Sequence, residues 1–381
     1  AILANTYGIP FVYGIENIDK IIKTNDTAIV DGNSGTIYVN PDEVVLHVFN
    51  AQIKDLEEEN SHLAKFKGKA AATKDGVKIN INANIGNVEE GFLAFEDGAD
   101  GIGLFRSEFL FMEKADMSEE SQFAAYKQVL ETAKEKTVTI RTLDCGGDKI
   151  IKSPDIIQES EKNPLLGWRA IRFTLDNTDL FKTQLRALYR ASVFGNLKIM
   201  FPLISCHEQV MSVLKLVKEV QNQLTQEKIP FDKNVPLGIM IETPAAALIA
   251  DHLAPTVSFF SIGTNDLTQY TTCVDRENAK VSHLFSEFHP AVIRLIKNTI
   301  EAGQNHNIDV SVCGELAGSI EGAILLVGMG VRTLSVSSRK INKVKEVLSR
   351  FSLQEIENIA LETLKHPDAE TVLSTIQAFI K

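Results

Sequence analysis

From about residue 70 onward, short apolar runs alternate with longer stretches in which apolar residues recur at helical spacing. Strands that are apolar on both faces and alternate with helices are typical of a parallel sheet covered by helices. The strand-like runs are Val77–Ala83, Gly101–Phe105, Val138–Leu143, Leu197–Phe201, Leu237–Ile241, Val257–Ile262, Asp309–Cys313 and Thr333–Val336. Eight such runs predict an α/β fold of the (β/α)₈ TIM-barrel type. An open doubly wound sheet is the alternative, but no G-x-G-x-x-G sequence follows the first run.

The stretches between these runs have apolar residues at helical spacing, as expected for helices that cover a sheet. They are Glu119–Lys134, Thr178–Ser192, Glu208–Gln226, Ala245–Leu253, Ala291–Asn305 and Glu321–Val327. We therefore expect the barrel to occupy residues 69–381.

The first part of the chain has a different pattern. Residues 1–45 are rich in strand and turn signals, and Asn33-Ser34-Gly35 between two β-branched runs predicts a hairpin. Residues 46–68 have helical spacing with an acidic run at Glu57–Glu59, which favours a solvated linker helix. The sequence thus predicts a small β-rich piece and a connecting helix ahead of the barrel.

Composition narrows the class of protein. The chain has 39 Lys and Arg against 50 Asp and Glu, a formal charge of −11, which argues against non-specific nucleic-acid binding. No apolar run approaches the roughly 18–20 residues that span a bilayer, so we expect no membrane insertion. The four cysteines form no C-x-x-C pair, and so few thiols in this length indicate a reduced, cytoplasmic protein.

In a barrel of this type, chemistry is located at the carboxyl ends of the strands. The polar residues at those ends are Arg106, Glu108, Arg141, Asp144, Glu242, Asn265, Asp266, Cys313 and Glu315. Arginine's planar fork suits phosphate or carboxylate, so Arg106 and Arg141 are candidates to clamp a phosphate. The alternative is that both arginines form structural ion pairs with Glu108 and Asp144.

Two carboxylates on neighbouring strand ends, Glu242 and Asp266, are candidate Mg²⁺ ligands, because Mg²⁺ takes one or two protein carboxylates and completes its shell with water and substrate. Ion pairing with the arginines is again the alternative. The turn Gly263–Asp266 can aim backbone N–H groups at an anion, although such a sequence is also an ordinary turn.

Two further features concern reactivity and access. Cys313, at a strand end, is a candidate proton donor or nucleophile. The alternative is that its side chain only packs in the core, as most cysteines in apolar strands do. The segment after the third strand is long enough to be a functional loop and carries Lys149, Arg169 and Arg172.

At this point the sequence resembles the phosphoenolpyruvate-utilising enzymes over essentially its whole length. Five stretches carry the resemblance: Gly103–Phe109 (G-L-F-R-S-E-F), Arg141–Lys149 (R-T-L-D-C-G-G-D-K), Ile239–Ala247, Phe259–Tyr270 (F-F-S-I-G-T-N-D-L-T-Q-Y) and Cys313–Gly318 (C-G-E-L-A-G). Two more, Leu166–Arg172 and Asp275–Ser282, resemble the enzyme I branch of that family, which starts the bacterial phosphoenolpyruvate:sugar phosphotransferase relay.

The resemblance implies a role for each matching residue. Arg106, Arg141 and Arg276 would hold the phosphoryl group, assisted by Asn265, Arg169 and Lys149. Glu242 and Asp266 would bind Mg²⁺, the backbone at Asn265 and Asp266 would meet the substrate carboxylate, and Cys313 would protonate the enolate to give pyruvate. It also implies a homodimer through the barrel and, for the full-length protein, a histidine-containing carrier protein (HPr) as partner.

The chain departs from the family pattern in two places that matter here. Phe285–Pro290 (F-S-E-F-H-P) differs from the more usual Y-x-P-x-[HN]-P. Ala1–Ala4 matches only the tail of the segment that carries the phosphate-accepting histidine, so we expect that histidine just before Ala1 and interpret residues 1–45 as a remnant of the swivelling phosphohistidine domain.

Two other functions stay open from the sequence. One is the barrel of a pyruvate phosphate dikinase or phosphoenolpyruvate synthase. The other is a non-catalytic phosphoenolpyruvate-sensing module, against which the intact Cys313 and the intact carboxylate pair argue, because a sensor needs no proton donor.

Overall fold

A computed structural model describes residues 9–15, 17–32, 34–113, 118–146 and 161–381. The chain divides into two compact units, Ala1–Phe66 and Lys67–Lys381. The segment around Lys149 lies outside the described residues. In the part that is described, no helix is long and apolar enough to cross a membrane.

The first unit contains a hairpin and a long helix. A short helix, α1 (Ile18–Ile21), precedes strands β1 (Ala28–Asp31) and β2 (Thr36–Val39), which pair antiparallel with Ala28 opposite Val39. Helix α2 (Glu43–Leu63) begins where the side chain of Asp42 accepts a hydrogen bond from the backbone N–H of Val45, a typical N-cap. The predicted strands and the predicted helix are therefore present, and the helix begins before residue 46.

The second unit is a closed barrel, which confirms the predicted fold class. Its eight parallel strands are β4 (Lys78–Ile85), β5 (Ile102–Arg106), β6 (Thr137–Arg141), β7 (Asn196–Phe201), β8 (Leu237–Ile241), β9 (Phe259–Ile262), β10 (Asp309–Val312) and β11 (Thr333–Val336). The barrel closes where β11 pairs with β4, Thr333 opposite Asn80. A two-residue strand, β3 (Ala71–Ala72), pairs antiparallel with the start of β4.

Helices surround these strands. They are α3 (Val88–Glu96), α4 (Glu108–Glu113), α5 (Glu119–Ala133), α6 (Ala170–Asp176), α7 (Thr178–Ala191), α8 (His207–Gln226), α9 (Pro244–Leu248), α10 (Ala250–Leu253), α11 (Thr264–Thr272), α12 (Pro290–Asn305), α13 (Ile320–Gly328), α14 (Ile341–Ser349), α15 (Leu353–Thr363) and α16 (Ala369–Ile380). The predicted helix Ala245–Leu253 is split at Ile249, and the long segment after β6 contains α6.

Alternation along β4 explains how the barrel separates its two faces. Ile79, Ile81 and Ile85 are fully buried in the main core, whereas Asn84 on the opposite face donates its Nδ2 hydrogens to the backbone oxygens of Cys313 and Ser335 at 2.9 and 3.1 Å. A two-residue period of this kind places one set of side chains against the helices and the other inside the barrel.

Inside the barrel an apolar layer separates two cavities. The layer consists of Leu104, Met200, Met240, Phe259 and Cys313. One cavity, of about 310 Å³, lies at the carboxyl ends of the strands, and the other, of about 340 Å³, lies at their amino ends between polar side chains such as Asn80, Asn82 and Thr139. The first cavity contains the residues singled out by the sequence.

Candidate active site

The cavity at the carboxyl ends of the strands brings together almost all of the candidate residues. Its lining includes Arg106, Arg141, Arg169, Glu242, Asn265, Asp266, Arg276 and Cys313. Lys149 is the one candidate that lies outside the described residues. Side chains from β5, β6, β8, β9 and β10 and the loops that follow them therefore converge on one space, as expected for a barrel enzyme.

Arg141, the last residue of β6, lies in a buried network of acidic residues. Its Nη2 forms an ion pair with Oε1 of Glu108 and lies 3.0 Å from Oδ2 of Asp144. The predicted alternative, ion pairing with these two carboxylates, is thus correct for Arg141. Its Nε is nevertheless buried without a hydrogen-bond partner among the described residues, so the guanidinium keeps a donor available.

Arg169 lies at the N-terminus of α6, in the long segment after β6. Its Nη2 is 3.0 Å from Oδ1 of Asp144 and 3.5 Å from Oδ2 of Asp266, and its Nε has no hydrogen-bond partner among the described residues. Its Nη1 donates at 3.3 Å to the hydroxyl of Tyr270, which donates in turn to the backbone oxygen of Leu165 at 2.5 Å. Tyr270 therefore anchors both the arginine and the loop that carries it.

Two other arginines are less tightly held. Arg106, at the end of β5, has no hydrogen bond or ion pair with any residue that the structure describes, so the predicted pairing with Glu108 does not occur for this side chain. Arg276 follows α11 and lies 3.4 Å from Oδ1 of Asp266, with 38% of its side chain exposed. Both cations are positioned to meet an anion that enters the cavity.

Glu242 and Asp266 come from the ends of neighbouring strands. Glu242 is 2% exposed, and its Oε1 accepts a hydrogen bond from the backbone N–H of Leu203 at 2.6 Å. Burial, followed by the negative charge of Asp266, raises the pKa of Glu242 to about 8. A Cβ atom on Gly263 would lie 3.0 Å from Oε2 of Glu242, so the turn before Asp266 packs closely against this carboxyl group.

The side chains in the cavity fit Mg²⁺, which takes few protein ligands, better than a metal such as zinc that is coordinated mainly by protein side chains. No group of three or more His, Cys, Asp or Glu side chains in the described ranges is arranged to hold a metal. The described lining contains four arginines but six carboxylates: Glu108, Asp144, Glu242, Asp266, Glu277 and Glu315. A phosphate anion in such surroundings requires further positive charge, and Glu242 and Asp266 can supply the one or two carboxylates that Mg²⁺ typically takes.

Asn265 and Asp266 lie in the first turn of α11, where the sequence alone indicated only a turn. The side chain of Asn265 accepts a hydrogen bond from the backbone N–H of Glu315 at 2.7 Å. Gly263, Asn265 and Asp266 all line the cavity, so the N-terminus of α11 lies at its wall, where the unpaired N–H groups of a first helical turn favour an anion.

Cys313 follows β10 and is 3% exposed. Its Sγ lies 3.7 Å from the backbone oxygen of Ile262, and burial raises the pKa of the thiol. The sulfur therefore stays protonated at neutral pH, which suits a proton donor better than a thiolate nucleophile.

Sequence reasoning missed two contributors to this geometry. Tyr270 was part of a quoted motif, and its spacing from Asp266, four residues along the same helix, could have indicated a shared face. The sequence offers Asp144 only as an ion-pair partner of Arg106 and Arg141, whereas in the structure it pairs with Arg141 and also with Arg169, 25 residues further along the chain. No local sequence signal predicts that second contact.

Comparison with known proteins agrees with this geometry. The family described as "PEP-utilising enzyme, PEP-binding domain" matches residues 60–353, and "PEP-utilising enzyme, mobile domain" matches residues 1–35. Curated proteins named phosphoenolpyruvate-protein phosphotransferase align with the chain in full: those of Buchnera aphidicola (subsp. Acyrthosiphon pisum), Haemophilus influenzae and Borreliella burgdorferi are 42%, 40% and 40% identical.

The chain covers 66% of the length of each of these relatives, slightly less than two thirds. The family match spans most of the chain and includes every candidate residue. The chain therefore belongs to the phosphoenolpyruvate-utilising enzymes, and residues 60–353 are its phosphoenolpyruvate-binding domain.

Proposed function

We propose that this chain binds phosphoenolpyruvate and Mg²⁺ in the cavity at the carboxyl end of the barrel and transfers the phosphoryl group to a protein histidine, releasing pyruvate. The observation that carries the proposal is the convergence of four arginines, the carboxylates of Glu242 and Asp266, and the buried thiol of Cys313 on one cavity of about 310 Å³. The curated relatives' name, phosphoenolpyruvate-protein phosphotransferase, supports it.

The arginines bind and orient the substrate. Arg106, without a protein partner among the described residues, and Arg276, with 38% of its side chain exposed, meet the phosphoryl group, and the guanidinium groups of Arg141 and Arg169, which line the same cavity, add positive charge. Phosphoryl transfer depends mainly on charge neutralisation and in-line positioning, which a ring of fixed guanidinium groups provides.

Glu242 and Asp266 would hold Mg²⁺. When bound, the metal neutralises negative charge on the phosphoryl and enolate oxygens. Asp266 also pairs with Arg169 and Arg276, so this carboxylate connects the metal position to the arginines. The N-terminus of α11, at Asn265 and Asp266, would bind the substrate carboxylate through its backbone N–H groups.

Cys313 protonates the product. Breaking the bond between phosphorus and the enol oxygen leaves the enolate of pyruvate, and the thiol donates its proton to the methylene carbon. The raised pKa of Cys313 keeps that proton on the sulfur until the enolate forms.

The wider setting follows from the same proposal. The acceptor histidine belongs to the phosphohistidine domain, of which residues 1–45 would be the C-terminal part, and the phosphoryl group would continue to the histidine-containing carrier protein HPr and the sugar phosphotransferase relay. The protein would act in the cytoplasm as a homodimer through the barrel.

The test combines the 381-residue chain with the phosphohistidine domain of a relative, Mg²⁺ and phosphoenolpyruvate labelled with ³²P. We expect phosphohistidine and pyruvate in equal amounts, and neither product when Mg²⁺ is chelated. Label transfer that requires added nucleotide would indicate a dikinase or synthase barrel. Tight binding of phosphoenolpyruvate without transfer, in a fusion of the chain with that phosphohistidine domain, would indicate a sensing module.

A further inference from the structure

Glu287 joins two of the turns that carry the candidate active-site residues. It lies in the segment between the short 3₁₀ turn Ser282–Leu284 and helix α12, partly buried beside the barrel. Its Oε1 accepts a hydrogen bond from the hydroxyl of Thr264 and a second one, at 3.2 Å, from the backbone N–H of Leu316. One carboxylate oxygen therefore contacts the residues that follow both β9 and β10.

Both contacts lie next to residues of the proposed chemistry. Thr264 is the first residue of α11, two positions before Asp266. Leu316 lies in the 3₁₀ turn Glu315–Gly318, three positions after Cys313. The spacing between the metal ligand and the proton donor thus depends on how these two turns are joined.

The turns after β9 and β10 also contact each other directly, at two places. A Cβ atom on Gly314 would overlap the side chain and backbone of Thr264, so the two backbones approach as closely as glycine allows. The side chain of Asn265 accepts a hydrogen bond from the backbone N–H of Glu315 at 2.7 Å. Glu287 belongs to neither turn and accepts hydrogen bonds from both, through Thr264 and Leu316.

The carboxylate is well suited to fix a distance. Hydrogen bonds to an ionised acceptor are shorter and stronger than neutral ones, and a carboxylate oxygen can accept two of them. Burial is the main cause that raises the pKa of Glu287, and the two hydrogen bonds oppose it. A side chain that is partly withdrawn from water and held by both turns has little freedom to move.

We propose that Glu287 is a positioning residue that sets the distance between Asp266 and Cys313 by holding the turns after β9 and β10 together. The inference rests on the proposed function. The hexapeptide Phe285–Pro290 differs from the family pattern Y-x-P-x-[HN]-P. Glu287 stands at the position of the first proline of that pattern, and a proline side chain cannot accept hydrogen bonds.

The test compares Glu287→Ala and Glu287→Gln in the 381-residue chain by calorimetric titration with phosphoenolpyruvate, with Mg²⁺ and again with the metal chelated. Glutamine retains an oxygen that accepts both hydrogen bonds and loses only the charge. We expect Glu287→Ala to weaken Mg²⁺-dependent binding by about tenfold or more, because two hydrogen bonds to a charged group are lost. Glu287→Gln should stay within about threefold of the original affinity.

Binding of phosphoenolpyruvate without metal depends mainly on the four arginines, none of which Glu287 contacts, so it should change less than Mg²⁺-dependent binding in either variant. Glu355→Ala is the matched control. Glu355 completes a capping box at the start of α15, so its replacement should lower the stability of the fold, and Glu355 does not line the cavity. This control should lower the thermal midpoint and leave affinity unchanged.

The outcomes distinguish failure of the proposed function from failure of the positioning role of Glu287. Absence of Mg²⁺-dependent binding in the original chain would contradict the proposed function itself. Normal binding in the original chain together with equal affinity in Glu287→Ala would overturn the positioning role. Equal loss of metal-free and metal-dependent binding in Glu287→Ala would also overturn it, because such a result indicates a general disturbance of the barrel.

Discussion

The guanidinium of Arg169 lies 3.5 Å from the carboxylate of Asp266, although the two residues are 97 positions apart in the chain. An expected substrate-binding arginine therefore shares an ion pair with an expected metal ligand. Because Asp144 holds the same Nη2 at 3.0 Å, Arg169 would keep part of its charge compensation if Asp266 turned towards the proposed metal. Metal and substrate can thus be coupled through one side chain.

The first prediction concerns the metal. Glu242→Gln and Asp266→Asn should each abolish the dependence of phosphoenolpyruvate binding on Mg²⁺, because a neutral amide is a poor ligand for this cation. Glutamine at position 242 can still accept the hydrogen bond from Leu203, so the fold should be retained. Calorimetric titration with and without Mg²⁺ measures the effect, and unchanged metal dependence in both variants would contradict the assignment.

The second prediction compares two arginines with different surroundings. Arg106→Ala and Arg141→Ala should each weaken phosphoenolpyruvate binding by about 1.5–3 kcal/mol, the value of a hydrogen bond to a charged group. Only Arg141→Ala should also lower the free energy of unfolding, by about 3–5 kcal/mol, because it removes the buried ion pair between Arg141 and Glu108.

Urea denaturation separates the two effects of the arginine variants. Arg106 has no ion pair within the described part of the chain, so Arg106→Ala serves as the control for charge loss alone. A similar loss of stability in both variants would show that the difference in pairing does not matter energetically.

The third prediction separates binding from chemistry at Cys313. Cys313→Ala should leave phosphoenolpyruvate affinity nearly unchanged, because a thiol adds little to holding a phosphate anion. Pyruvate formation should fall by roughly 10²–10⁴-fold, as expected when a positioned proton donor is removed. The assay uses the chain fused to the phosphohistidine domain of a relative, and Cys273→Ala, which removes an exposed thiol, is the control. Normal turnover in Cys313→Ala would mean that the thiol is only packed in the barrel.

The fourth prediction concerns assembly. The family resemblance implies association through the barrel, and this chain contains all eight barrel strands. We expect a homodimer whose population rises with phosphoenolpyruvate and Mg²⁺, because a ligand that binds the dimer preferentially shifts the equilibrium towards it. Analytical ultracentrifugation that finds only monomer at high concentration, with both ligands present, would rule this out.

Much of the fold was readable from the sequence because it depends on local pattern. The eight runs coincide with the eight strands to within two residues at each end, since each strand needs apolar side chains at the positions that pack against the helices. Pro244 marks the first residue of α9 as expected, because a proline at that position loses no helical hydrogen bond. Split helices such as the one at Ile249 were not predicted, because apolar spacing continues across the break.

The sequence by itself determined which residue types stand at the strand ends, and hence the class of ligand that the cavity can hold. Only the tertiary structure decided how those residues are paired: Arg141 is neutralised by Glu108 and Asp144, whereas Arg106 is not. The contacts of Glu287 with Thr264 and Leu316 are likewise absent from any local pattern. The physical reason is that spacing along the chain fixes the direction of a side chain, while ion pairs and hydrogen bonds depend on distances between segments that only barrel closure brings together.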